Sequence, residues 1–308
     1  MSALRRRLGE YLAIRRAMGF TMERHEKLLG QFVDHLAARD VSTITIEDAL
    51  EWAMSPAQAD PSWWAARLSM VRGFAVHLRA LDPAHQVPPC ALIAHSPRRT
   101  VPYLYTDQDV AALVRAAGAL SAPLRAATYQ TLIRLLGATG MRVGEAIGLD
   151  RADFDIELGV LTVRDTKFGK TRQLPLHPTA TTGLQDYVRL RDHLLPAPST
   201  PALLLSTKGF RLHYPRVWET FHRLVGQADL TARSPASTPR IHDLRHTFAV
   251  NTLLDCYRDG ADVPAMLPHL ATYLGHADPK HTYWYLSASP ELLALAGDRL
   301  DAHEKETR

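Results

Sequence analysis

The chain is predicted to be mainly α-helical with one small β-sheet, as an all-helical first domain followed by an α+β second domain. Three observations carry this. Apolar residues recur at helical spacing along most of the 308 residues. Two short runs, "GVLTVRD" and "RQLPLH", alternate and are β-rich. A stretch with five prolines, residues 82–102, divides the chain.

The first helix is read from Leu4, Leu8, Tyr11 and Leu12, and the second from Leu28, Phe32, Val33 and Leu36 after the "GFT" break. Thr45, with Asp48 three residues on, caps a third. Asp60-Pro61 opens a fourth, whose Trp64, Leu68, Val71, Ala75 and Leu78 share a face. The first domain therefore spans 1–95, with proline-rich linker to about 102. The second spans 103–308 and opens with Thr106 and Asp109 in capping positions. A helix over 123–138 leads to the turn "GATGMRVGEAIGL". The two strands are joined by "TKFGKT", where Gly169 fits a hairpin turn. Helices follow near 178–194, 214–228, 241–256 and 263–275. Ser289 and Pro290 start a terminal helix with Leu292, Leu293, Leu295 and Leu300 as its apolar stripe.

Composition narrows the classes. With 46% hydrophobic and 22% charged residues there is ample material for cores, and a net charge of +4 is compatible with an anionic partner. Cys90 and Cys256 are neither a disulfide framework nor a zinc set, which places the chain in a reducing, cytoplasmic setting. No apolar run is long enough to span a bilayer, so no membrane partner is expected. The arginine-bearing N-terminus lacks a following apolar run, so no secretory signal is expected. There is no internal repeat, no P-loop and no acidic cluster of the two-metal kind.

Chemistry-bearing residues stand in apolar settings of the second domain. Arg142 opens a helix just after Gly140. His242, Arg245 and His246 lie on the first turns of another, with His242 and Arg245 on one face. Arginines converging at helix N-termini suit an anion, because the guanidinium fork matches phosphate oxygens. Taken singly, each has a plainer role: Arg142 could pair with Glu145, and Lys167 or Lys170 could be solvated turn lysines. His242 and His246 are four apart, but without an adjacent glutamate the pair does not argue for zinc. Pro279 separates His276 from the element carrying Tyr283 and Tyr285. Those two tyrosines differ by roughly 200° around a helix, so at most one faces the arginines.

Read in order, "TGMRVGEAIGL", "TKFGKTRQLPL", "HDLRHTFA", "LGH" and "TYWYL" resemble the motif series of the tyrosine recombinases, the phage-integrase and Xer-like family. The resemblance runs from Tyr103 to the end. It implies a helical, SAM-like core-binding domain and a catalytic domain forming a C-shaped clamp around double-stranded DNA. It also implies a tetramer on synapsed DNA, with related recombinases as further partners, in a bacterial nucleoid-associated setting. By position it assigns Arg142 and Arg245 as the catalytic arginines and Lys167 as the hairpin lysine, with Lys170 as fallback. His242 and His276 become the two histidines and Tyr285 the nucleophile. Phe168, where glycine is usual, and the second tyrosine Tyr283 are departures.

The implied reaction is DNA strand exchange through a 3′-phosphotyrosine, without cofactor, ATP or metal. The arginines would neutralise the non-bridging oxygens, most strongly in the transition state. The histidines would assist the tyrosine, and Lys167 would protonate the leaving 5′ oxygen. Tyr285 is expected to stand apart from the core, unlike Tyr283 and Trp284. Arg5, Arg6, Arg7, Arg15 and Arg16 are candidates for phosphate contacts. The competing classes are a non-catalytic DNA-binding protein of the same fold and a type IB topoisomerase. The intact residue set argues against the former, the small N-terminal helical domain and the "LGH" motif against the latter. The tail "YWYLSASPELLAL" resembles integrases of mobile elements and points to transposition or integration.

Overall fold

The computed structural model describes residues 2–94, 101–166, 170–234, 237–275, 282, 285, 291–295 and 297, with backbone alone at 165, 166 and 170. The chain divides into two compact units, Met1–Arg99 and Thr100–Arg308.

The first unit holds α1 (Ala3–Ala17), α2 (Glu23–Ala38), α3 (Ile46–Met54) and α4 (Pro61–Arg79). Each start except that of α2 has a side-chain cap. Ser2 accepts from the Arg5 amide, Thr45 from that of Asp48, and Asp60 from that of Ser62 with Pro61 next in line. The apolar faces meet in a core whose centre, Leu29, Phe32, Leu36, Ile44, Val71 and Phe74, is closed to solvent. Arg67 is buried with its guanidinium 3.8 Å from the Trp52 ring centroid and donates to the Trp52 carbonyl at 2.6 Å.

Much of the proline-rich stretch is not a loose tether. The Ile44 amide donates to Nδ1 of buried His85 at 3.1 Å, and the Gln86 amide donates to the Ile44 carbonyl at 2.8 Å. Arg72 donates to the carbonyls of Pro88 and Pro89 at 2.8 and 2.7 Å. Proline removes amides, not carbonyls, so these residues still serve as acceptors. Val87 and Ile93 pack on the helical core.

The second unit contains α5 (Asp107–Gly118), α6 (Pro123–Thr139), α7 (Val143–Gly148), β1 (Phe154–Asp155), β2 (Val160–Thr166) and β3 (Lys170–Pro175). It continues with α8 (Pro178–Leu194), α9 (Tyr214–Gln227), α10 (Asp243–Arg258) and α11 (Val263–Leu274). The sheet is antiparallel in the order β1-β2-β3, with Leu161 opposite Leu174 and Val163 opposite Arg172. Leu161, Val163 and Leu174 face the core, as period-two alternation requires. Helix α6 is the central post, packing against α5, α7, α8 and α10. It ends at Gly140 with φ +59°, where an added Cβ would lie 2.5 Å from the Phe248 ring.

Helices α10 and α11 build a second apolar cluster that takes in Tyr285 and Leu292. Residues 291–295 are helical, and Arg258 donates to Glu291 at 2.7 Å. Leu292 is buried while Leu293 is exposed, so these two leucines do not form one stripe. Leu300, Ser289 and Pro290 lie outside the described residues.

Candidate active site

Three chain reversals bring the polar residues together. At the first, α6 stops at Gly140 and Arg142 becomes the N-cap residue of α7. The Arg142 amide donates to Glu145 Oε2 at 2.9 Å and its Nη1 to Glu145 Oε1 at 2.8 Å. The plain pairing with Glu145 is therefore real. It also aims the guanidinium, whose Nη2 lies 3.4 Å from the Gly275 carbonyl.

At the second, α10 begins after buried Ile241, with His242 as its N-cap residue. Asp243 is fully buried and accepts from the Arg240 amide, Nε and Nη2 at 3.2, 3.1 and 2.9 Å, which pins the first turn. Arg245, only 2% exposed, donates to the Gly140 carbonyl and to the Leu274 carbonyl, each at 2.8 Å. Both acceptors lie at C-terminal ends of helices, where the macrodipole favours a cation. Burial, and then the charge of Arg142, push Arg245 down from 12.5 to about 10. The Tyr285 phenol acts the other way on the Arg245 guanidinium, favouring its charged form.

The third reversal is the end of α11 at Gly275, φ +69°. Arg172 Nε donates to the Tyr273 carbonyl at 2.9 Å, and its Nη1 and Nη2 meet Glu145 at 3.2 and 2.8 Å. Three successive carbonyls, 273 to 275, thus accept from Arg172, Arg245 and Arg142 in turn. Burial alone would push the Glu145 carboxyl up. The bonds from Arg172 and Arg142 outweigh it and hold the group below its usual range.

A series of rings completes the arrangement. His246 stands edge-on to His242 at 5.0 Å and to Tyr285 at 5.4 Å between centroids. His242 reaches solvent, yet the protein packed around it and the charge of Arg245 lower its pKa, so the imidazole is neutral at pH 7. Tyr285 is 3% exposed and sits in the α10–α11 apolar cluster, which corrects the expectation that it stands apart from the core. Among the described residues no group of three or more His, Cys, Asp or Glu could hold a metal.

A buried guanidinium, Arg245, and a partly exposed one, Arg142, beside a tyrosine and a neutral imidazole can take an anion and present a hydroxyl to it. Residues 104–291 match the model of the phage integrase family. The chain belongs to the phage integrase family. Members are tyrosine recombinases, site-specific enzymes that act as DNA strand transferases, and this integrase is one of them. It is 42% identical over 309 residues to a Sinorhizobium fredii (strain NBRC 101917 / NGR234) protein named as an integrase/recombinase, y4rB, covering 98% of each chain. It is 30% identical to the tyrosine recombinase XerD of Mycobacterium leprae (strain TN), over 92% of each chain. Among solved structures it resembles the Tn1549 transposon integrase in complex with transposon right end DNA. There the TM-score is 0.66 at 17% identity, over 96% of this chain and 99% of that one.

Of the residues singled out in the integrase sequence, Arg142, His242, Arg245 and Tyr285 fall in one region. Lys167, His276, Phe168, Tyr283 and Trp284 lie outside the described residues, and of Lys170 only the backbone is described. Sequence reasoning gave no active role to Glu145, Arg172 or His246. Arg172 had a readable signal: it sits two residues before buried Leu174, on the inward face of a strand where an apolar residue is the norm. No helix among the described residues is long and apolar enough to cross a membrane.

Proposed function

We propose that this integrase cuts and rejoins double-stranded DNA through a 3′-phosphotyrosine on Tyr285, moving or integrating a mobile element. The observation that carries the reading is the convergence of Arg142, Arg245 and Tyr285, with the Arg142 charge and the Tyr285 phenol both acting on the Arg245 guanidinium. Arg142 and Arg245 bind the non-bridging oxygens of the scissile phosphate and gain most as charge builds in the transition state. His242, neutral at pH 7, accepts the tyrosine proton, and His276 holds the same phosphate. Lys167 protonates the leaving 5′ oxygen. A 5′-hydroxyl of another strand then attacks the phosphotyrosine and releases the enzyme. Four copies act on two synapsed sites, with double-stranded DNA and related recombinases as partners, in the bacterial cytoplasm at the nucleoid. The first unit, through basic residues of α1, binds the DNA backbone.

The mobile-element role rests on the resemblance of the tail "YWYLSASPELLAL" to integrases of mobile elements, together with 42% identity to the S. fredii protein.

The test is a covalent trap. The protein is mixed with nicked duplexes tiled across the DNA flanking its gene, and SDS-stable adducts are collected. Tyr285→Phe is expected to abolish the adduct and Tyr283→Phe to leave it. The opposite pattern would overturn the nucleophile assignment. DNA binding without an adduct on any duplex would point to a non-catalytic protein, and relaxation of plasmid lacking a site to a topoisomerase.

A further inference from the structure

Arg172 breaks the pattern of its own strand. Its neighbours on the core face of the sheet are Leu174 in β3 and Val163 directly opposite in β2, both closed to solvent. Its side chain is 13% exposed. Burying a charge at a strand position that favours an apolar residue costs stability, and a hydrophobic replacement is often neutral or stabilising. Arg172 touches three groups, two of which also hold Arg142. One is the Glu145 carboxylate, gripped by both Nη atoms at 3.2 and 2.8 Å. The second is the Tyr273 carbonyl, at 2.9 Å from Nε. The third is the backbone of Gly275, where an added Cβ would lie 2.9 Å from Nη1, so only glycine lets the guanidinium lie this close. Glu145 and Gly275 are both partners of Arg142.

Charge points the same way. Glu145 cancels the charge of Arg142, which leaves that pair neutral toward an anion. Arg172 restores one positive charge, and Arg245 adds a second. A phosphodiester under attack by a phenolate carries two negative charges, which this total matches.

We propose that Arg172 is a positioning residue for strand transfer, fixing Glu145 and the 273–275 turn and so setting the aim and effective charge of Arg142. This rests on the strand-transfer reading above. The test uses the full chain, with Arg172→Met and Arg172→Lys. The first measurement is the single-turnover rate of adduct formation on the nicked duplex that traps the wild-type protein, beside the affinity for that duplex and the melting temperature. Arg172→Met is expected to slow the adduct by between about tenfold and about 100-fold, as small misplacements of a catalytic group do. Affinity is expected to stay within about twofold, with the fold intact. Arg172→Lys is expected to recover part of the rate by returning the charge without the fork. The second measurement needs no DNA: the Arg142 guanidinium Nε–H resonance in NMR spectra, expected to shift and broaden in Arg172→Met.

A wild-type rate in Arg172→Met overturns the proposal. So does a rate that falls only in step with melting temperature, or an Arg142 resonance that does not change. If the wild-type protein traps on no duplex, the strand-transfer reading fails by itself, and the Arg142 resonance alone still decides whether Arg172 positions it.

Discussion

Arg245 is buried against two helix ends, and its neighbours make its ionisation a measurable property. It falls from 12.5 to about 10 through burial and the repulsion of Arg142. A lysine starts lower, at ~10.4, and the same surroundings would push it down further. Arg245→Lys should therefore lose its ability to trap adduct at a lower pH than the wild-type protein, because the ammonium gives up its proton first. A pH–rate profile of both proteins on the trapping duplex checks this. His242 shifts in the same direction, since the protein packed around it and the charge of Arg245 lower its pKa. In ¹³C-labelled histidine spectra of the DNA-free protein it should still be neutral at pH 6.5, where an ordinary histidine is half protonated. A half-protonated His242 there would remove the case for it as the proton acceptor. Arg142, His242, Arg245 and Tyr285 were legible through the order and spacing of the motifs that resemble the tyrosine recombinases. For Arg172 the sequence offers only a charge at an inward strand position and not its role, since its partners lie 27 residues away in Glu145 and 101 residues away in Tyr273.

Elements were legible where they were long. The periodic stripes of α1, α2 and α4, the caps at Thr45 and Thr106, and the alternation in β2 need only local chemistry, and each appears where the spacing puts it. The two-residue strand β1 does not, because no period can be read in two residues. The packing of the proline-rich stretch was not readable for a different reason: its order comes from Ile44 and Arg72, which local sequence does not connect to it. The stop of α6 tests how tightly an element end fixes the site. Gly140→Ala puts a side chain at φ +59° and 2.5 Å from the Phe248 ring, while the same residue supplies a carbonyl to Arg245. It should cost about 2–4 kcal/mol in urea unfolding, from left-handed strain and overpacking together. By contrast Thr106→Ala removes one half of a capping box at the start of α5 and should cost only about 1 kcal/mol.

At the scale of the molecule, separate cores imply separate unfolding. The apolar cluster of the first unit is built from α1 to α4, and the clusters of the second from residues 103 onward. Scanning calorimetry should resolve two transitions. Phe32→Ala should lower one, by about 3–5 kcal/mol of unit stability, and leave the other in place. Leu132→Ala should do the reverse by about 2–5 kcal/mol. A single transition moved by both would refute independent folding.

The row of carbonyls at 273 to 275 has a genetic consequence. Main-chain oxygens cannot be deleted by a codon change, so the cradle for three arginines is indifferent to which side chains hang from it, provided the helix end keeps its path. Gly275 is locked by its φ of +69° and by Arg172 pressed against it, and Leu274 is held to an apolar residue by its burial in the α10–α11 cluster. A saturation library across these positions should tolerate many residues at Tyr273 and almost none at Gly275. The information that places the arginines is held in a backbone course, and mutation reaches it only by bending that course.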